Sequence, residues 1–185
     1  MKNDSLQDSR KTRYTKMVLR NSLTELMKEK SILRISIKDI CELADISRST
    51  FYAHYKDQYD LLQHIQEETI ANIEKLLEKY NEDDSKSGII GMLEELLRYI
   101  ADNGESIQVL LSENGDINFQ KKIFGFIRHK QVMKYFTGKF DEKTQEYASI
   151  FTVHGSIGLI QQWLKNNMDV PVSEMARLFV KMTQR

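Results

Sequence analysis

Residues 36–57 read Ser36-Ile-Lys-Asp-Ile-Cys-Glu-Leu-Ala-Asp-Ile-Ser-Arg-Ser-Thr-Phe-Tyr-Ala-His-Tyr-Lys-Asp57, and this stretch decides the fold. Ser36 is a good helix N-cap, and Asp39 stands three residues on, a capping-box pattern with Asp in place of Glu. The pattern predicts a short helix over residues 37–44 that buries Ile37, Ile40 and Ala44. Asp45, Ile46 and Ser47 leave room only for a tight turn, and Ser47 caps a further helix over residues 48–55. Asp57, with Asp60 three residues later, caps a long fourth helix. Upstream, Leu19, Leu23, Leu26 and Met27 recur at helical steps and predict a first helix over about residues 11–28. Two short helices joined by a three-residue turn, behind a basic helix, make a helix-turn-helix.

Outward from this stretch the pattern stays helical. The chain has a single proline, Pro171, and no glycine before Gly88, so few hairpin turns are available. Apolar residues recur every three or four positions at Leu62, Ile65, Thr69, Ile73, Leu76 and Tyr80, and again at Ile89, Leu93, Leu96, Leu97 and Ile100. A third stripe passes through Ile123, Phe124 and Ile127. Residues 81–88 form the clearest loop, and Gly138 marks another break. The expected fold is therefore all-α, with about nine helices. A three-helix module holding the helix-turn-helix is expected over residues 1–60 and a helical body over residues 61–185, with a helix from about residue 57 linking them.

Composition agrees with packed cores and hides one asymmetry. Of 185 residues 41% are hydrophobic, and 27 Lys+Arg balance 27 Asp+Glu. No run approaches the roughly 18 apolar residues of a membrane span, and the first residues show no apolar export signal. The lone Cys41 excludes an intramolecular disulfide and fits a reducing cytoplasm. Zero net charge argues against a nucleic-acid binder only if the charge is even, and it is not. Residues 1–60 hold 12 basic and 9 acidic groups, whereas residues 61–185 hold 15 and 18. Arg10, Lys11, Arg13, Lys16 and Arg20 stand together with no acid between them. Such a run is either a solvated helix face or the phosphate-facing side of a DNA-binding module.

The quoted stretch closely resembles the DNA-binding domain of the TetR family of bacterial regulators. The most specific piece is Ser47-Arg-Ser-Thr-Phe-Tyr-Ala-His-Tyr-Lys56 with the Leu61 and Leu62 pair behind it. A recognition helix enters the major groove with its N-terminal residues at the base edges. Here those are Ser47, Arg48, Ser49 and Thr50, polar and mostly short. Arg48 suits guanine O6 and N7, and the Thr50 methyl suits a thymine methyl. Phe51 points the other way, into the core. Tyr52, His54 and Lys56, with Ser36 and Lys38 at the start of the second helix, suit phosphate anchoring. Two positions depart from the family pattern. Asp45 stands where the family usually has glycine, and Asp tolerates the left-handed conformation better than most residues. Gln58 stands where the family often has lysine, which implies one phosphate contact fewer and somewhat weaker or less salt-sensitive binding.

Tyr147-Ala-Ser-Ile-Phe-Thr-Val-His-Gly-Ser-Ile-Gly-Leu-Ile-Gln-Gln-Trp-Leu-Lys165, Met168 and Pro171-Val-Ser-Glu-Met-Ala-Arg-Leu-Phe179 resemble the C-terminal domain of a TetR subgroup common in Firmicutes. The resemblance implies a body that dimerises through its last two long helices and often holds an effector pocket. Ile150, Phe151, Ile157, Leu159, Leu164, Met175, Leu178, Phe179 and Met182 are the expected seam, with Gly155 and Gly158 allowing close approach. Pro171 is placed to open the last helix. Tyr99, Phe126, Tyr135 and Trp163 are candidate pocket residues for a small apolar or aromatic effector, although aromatics at helical spacing are more often core.

Other chemistry finds no support. His154-Gly-Ser-Ile-Gly158 lies inside a helical pattern and lacks the spacing of a nucleophile elbow. His54, His64, His129 and His154 show no metal-ligand spacing with one another or with Cys41. No cofactor, metal or catalytic residue is expected. The expected function is a cytoplasmic, bacterial, ligand-responsive repressor that binds a palindromic operator in double-stranded DNA as a homodimer. The alternative is a co-regulator of the same fold whose body binds a protein partner.

Overall fold

A computed structural model describes residues 10–80, 85–112, 119, 122–123 and 141–183. Among them the fold is all-α, with eight α-helices and one 3-10 turn. The helices are α1 (Arg10–Glu29), α2 (Ile37–Ala44), α3 (Arg48–Tyr52), α4 (Gln58–Glu78), α5 (Lys86–Asp102), α6 (Gly104–Leu111), α7 (Glu142–Lys165) and α8 (Val172–Thr183), with the 3-10 turn at Ile32–Arg34. The chain forms two compact units, Met1–Glu67 and Glu68–Arg185. The division falls beyond residue 60 because the first turns of α4, with buried Leu61, Leu62 and Ile65, belong to the first unit.

In the first unit α1 packs on α2, and α2 on α3. Leu19, Leu23 and Met27 of α1 meet a core completed by Ile35, Ile40, Ala44, Phe51 and Tyr55. The opposite face of α1 carries exposed Arg10, Lys11, Arg13, Tyr14 and Met17, so this helix is amphipathic with a cationic outer side. Ser36 caps α2 through a reciprocal pair. Its hydroxyl accepts the Asp39 N–H at 3.2 Å, and the Asp39 carboxylate accepts the Ser36 N–H at 3.0 Å. Lys30, just past α1, adds an ion pair to the same carboxylate at 3.3 Å. These bonds place the start of α2 against the end of α1, and the cap is worth about 1 kcal/mol. The expected second helix has its predicted limits. Ile37, expected in the core, is only half-buried.

The third helix is shorter than residues 48–55. After Tyr52 the ladder tightens, and His54 N–H donates to the Phe51 carbonyl, three residues back, at 2.9 Å. The chain must reverse here because α4 begins within six residues of Tyr52. Asp57 accepts the Asp60 N–H at 2.8 Å, and Asp60 reaches back to accept the Lys56 N–H at 2.9 Å.

In the second unit α5 packs on α8, and α6 packs on both α5 and α7. The α5 stripe of Ile89, Leu93, Leu97 and Ile100 is buried as its spacing predicts, facing a core that includes Met175, Ala176, Phe179 and Val180 of α8. Val153, Ile157 and Leu164 form the buried side of α7. Gly104 opens α6 where an added Cβ would lie 3.3 Å from a Leu164 methyl, so this glycine permits close approach of α6 to α7. Asn167 and Met168, at φ 54° and 57°, end α7 by turning left-handed. Trp163 Nε1 donates to the Val170 carbonyl at 2.8 Å across that turn. Pro171 then opens α8, its carbonyl accepting the Met175 N–H at 2.9 Å.

Candidate nucleic-acid interface

The turn between α2 and α3 depends on one backbone conformation. Asp45 adopts φ 52°, ψ 45°, the left-handed region, and its N–H donates back to the carbonyls of Cys41 and Glu42. Asp is among the few side chains that occupy this region at modest cost, which lets the turn form without glycine. Ile46 N–H donates to the Cys41 carbonyl at 3.0 Å and closes the turn. Beneath it Cys41 is buried, and burial pushes its thiol up from the ordinary cysteine range, with Arg48 partly opposing the shift.

Ser47 caps α3, its hydroxyl accepting the Thr50 N–H at 3.2 Å. That hydroxyl also lies 2.8 Å from the Ser49 hydroxyl and 2.9 Å from the Thr50 hydroxyl. Three of the four predicted base-edge residues are thus linked to one another, while Arg48, exposed beside them, has no ion-pair partner among the described residues. Phe51 is fully buried, as expected of the residue that fixes α3 to the core. Its ring meets Tyr52 edge-on at 5.8 Å and Tyr55 at 5.9 Å, and Tyr55 meets His64 of α4 at 5.4 Å. This aromatic chain ties α3 to the start of α4. Lys56 is exposed and His54 half-buried.

Two grooves flank α3. One, of about 460 Å³, is lined by Leu33, Arg34, Ile35, Ser36, Ile37, Lys38, Arg48, Tyr52 and Gln58. The other, of about 510 Å³, runs along Lys38, Cys41, Glu42, Asp45, Ile46, Ser47 and Arg48. The first brings predicted Ser36, Lys38, Arg48 and Tyr52 onto one surface, and it adds Leu33, Arg34 and Gln58. Leu33 and Arg34 were invisible as site residues in sequence because they belong to a connector, not to either motif helix. Lys38 pairs with Glu42 at 3.6 Å. Asp39, at the mouth of α2, is held below the ordinary aspartate range by the hydrogen bonds from Ser36, with Lys30 adding to the effect.

In the second unit the expected dimer residues separate into two groups. Phe151 is 78% exposed, Ile150, Gly155 and Met182 are also exposed, and Leu159 and Leu178 are half-buried. Ile157, Leu164, Met175 and Phe179 are buried inside the unit itself and leave little surface for a partner. Of the expected pocket residues, Tyr99 is half-buried and its hydroxyl accepts from Asn72 of α4 at 3.4 Å. Trp163 is 2% exposed, with its N–H already engaged by Val170. Phe126 and Tyr135 lie outside the described residues.

Residues 89–185, just over half of the chain, match the TetR-type family described as "Transcriptional regulator C-terminal region". The chain belongs to the TetR family of transcriptional regulators, a family of regulators rather than enzymes, and its first unit carries the helix-turn-helix. Over 94 residues it is 31% identical to the HTH-type dhaKLM operon transcriptional activator DhaS of Lactococcus lactis. That match covers 51% of this chain and 47% of the relative, about half of each. A TetR transcriptional regulator from Streptococcus agalactiae superposes with a TM-score of 0.67 at 22% identity, covering 95% of this chain and 97% of that one. The regulator FadR of Bacillus subtilis, in complex with stearoyl-CoA, gives a TM-score of 0.59 at 15% identity over 90% of this chain and 96% of that one. At these identities the structural likeness establishes the fold. No helix among the described residues is long and apolar enough to cross a membrane.

Proposed function

We propose that this regulator binds a near-palindromic operator as a cytoplasmic homodimer, with α3 in the major groove, and acts as a ligand-responsive repressor. The observation that carries the reading is the N-terminus of α3. Ser47, Arg48, Ser49 and Thr50 are presented as a polar end while Phe51 behind them is locked in the core. A helix held by one face and polar at its tip is what base reading requires. Arg48 reads a base edge; Ser36, Lys38, Tyr52, His54 and Lys56 hold phosphates and set register. Two copies of α3 about 34–36 Å apart then read two half-sites one helical turn apart. Phe151, Gly155, Leu159, Leu178 and Met182 supply the surface for the second copy; Phe151, Gly155 and Met182 are exposed and Leu159 and Leu178 half-buried.

The effector acts through α4, which begins in the first unit and ends in the second. A ligand that favours splayed recognition helices lowers operator affinity by its differential affinity for the two states. The stearoyl-CoA held by the Bacillus subtilis relative supports an apolar effector for this fold. A second reading has a specific support, since the Lactococcus lactis relative is described as an operon activator. In that reading the body binds a protein partner and the output is activation.

The test begins with DNA selected from a random duplex library by the purified protein. Arg48→Ala should lose discrimination at one base pair, whereas Lys56→Ala should weaken all sequences alike and lower the salt slope by about one per subunit. If neither variant changes binding, α3 is not the reading helix. A saturating effector that leaves operator affinity and recognition-helix separation unchanged refutes the repressor mechanism and favours the protein-gated one.

A further inference from the structure

The two grooves beside α3 differ in charge. The one along the turn holds Lys38 and Arg48 with Glu42 and Asp45, so its charges cancel. The one between the 3-10 turn, α2, α3 and α4 holds Arg34, Lys38 and Arg48 with no carboxylate among its nine lining residues. An acid-free groove with three cations on a DNA-facing surface is suited to a phosphodiester strand. Its three cations are not equivalent. Lys38 is paired with Glu42 at 3.6 Å, and Arg48 stands at the N-terminus of α3, where base edges are read. Among the described residues, Arg34 is the groove cation with neither an ion-pair partner nor a place at the base edges. It is exposed and has no ion-pair partner among the described residues.

The backbone fixes where Arg34 stands. Its N–H donates to the Ser31 carbonyl at 2.9 Å, and the next residue, Ile35, donates to Ile32 at 3.2 Å. Ile35 is buried in the core and Ser36 caps α2, so Arg34 sits between two anchored positions. Leu33 beside it is 77% exposed and lines the same groove. Gln58, the first residue of α4, lines the same groove and carries no charge.

We infer that Arg34 is a phosphate-binding residue of the operator complex, holding the DNA backbone in the groove shared with Tyr52 and Gln58. The inference rests on the proposed DNA reading. Arg34 contributes affinity and salt dependence but no sequence preference, because a guanidinium on a phosphate sees no base edge. In a chain whose net charge is zero it adds one placed arginine, on a connector, to the phosphate contacts proposed for the motif helices.

The experiment measures fluorescence anisotropy over a salt series. The probes are a labelled duplex recovered by selection on the wild-type protein and a scrambled duplex of the same length. The proteins are full-length wild type, Arg34→Ala, Arg34→Ala with Gln58→Lys, and Arg48→Ala. Arg34→Ala should weaken both duplexes by a similar factor, on the order of tenfold, and lower the salt slope by about 0.9 per subunit. Gln58→Lys, placing a cation in the same groove, should restore most of that slope. Far-UV circular dichroism should show unchanged helix content, since the removed side chain is exposed. Arg34→Ala with unchanged affinity and slope, beside an Arg48→Ala that loses discrimination, overturns the inference and leaves the DNA reading standing. A base-specific effect of Arg34→Ala, or no restoration by Gln58→Lys, also overturns it. If wild type recovers no preferred duplex, the DNA reading itself fails.

Discussion

Replacing Asp45 by Gly and by Val separates the backbone demand of the α2–α3 turn from every other property of the site. Asp45 is exposed, and no side-chain hydrogen bond to it is among the contacts that hold the turn; its N–H bonds to Cys41 and Glu42 survive either substitution. What changes is the cost of φ 52°, ψ 45°. A left-handed residue with a Cβ costs about 1–2 kcal/mol, with Asp at the low end and a β-branched side chain at or above the high end. Glycine removes that cost but loses about 0.5–1 kcal/mol more backbone entropy on folding. Asp45→Gly should therefore leave stability within about 0.5 kcal/mol of wild type, and Asp45→Val should lose about 1–2 kcal/mol. The first unit ends at Glu67, and a unit of that size has a total stability on the order of 3–10 kcal/mol. The loss in the valine variant is thus a large fraction of the whole. Hydrogen exchange on peptides from α2 and α3 reads it directly, as local opening about 5- to 30-fold more frequent. A valine variant whose protection stays within twofold of wild type would refute the claim that the left-handed residue positions α3. So would a glycine variant that loosens as much as valine.

Two further perturbations test other parts of the fold. The Asp39 carboxylate is held below its ordinary range by Ser36, so the folded form favours its ionised state. Its contribution is present above the unfolded value, near pH 4, and is lost as pH falls through the lower folded value. The urea midpoint of the first unit should fall between about pH 5 and pH 3 in wild type and fall less in Asp39→Asn; parallel curves for the two proteins would contradict this. Trp163→Phe removes the N–H that bonds the Val170 carbonyl at 2.8 Å and shrinks a buried side chain. It should cost about 1–3 kcal/mol, read from urea unfolding by circular dichroism, and an unchanged midpoint would show that the bond does not hold the α7–α8 turn.

Much of the first unit was legible because its signals are local. A cap, a counter-cap three residues on and an apolar stripe lie within one or two helical turns of each other. Ser36 with Asp39, the Ser47 cap, and Asp57 with Asp60 therefore show in sequence as they form in structure. Even the departure at Asp45 could be judged in advance, since left-handed tolerance is a property of the residue itself. The length of α3 was overestimated because its end is set by the reversal into α4, which no local propensity encodes.

The second unit was less legible for a physical reason. An amphipathic stripe says that a face is buried but not against what. Phe151 and Phe179 look alike in sequence, yet one is open on α7 and the other is enclosed where α8 packs on α5. Only tertiary packing chose between them. The same holds at the DNA-facing surface. The sequence by itself determined the helices, their caps, the two-helix motif and the arginine at its tip, all fixed by neighbours a few residues apart. Tertiary structure alone brought Arg34 and Gln58, 24 positions apart, to one acid-free groove, because a groove is made by elements that meet in space.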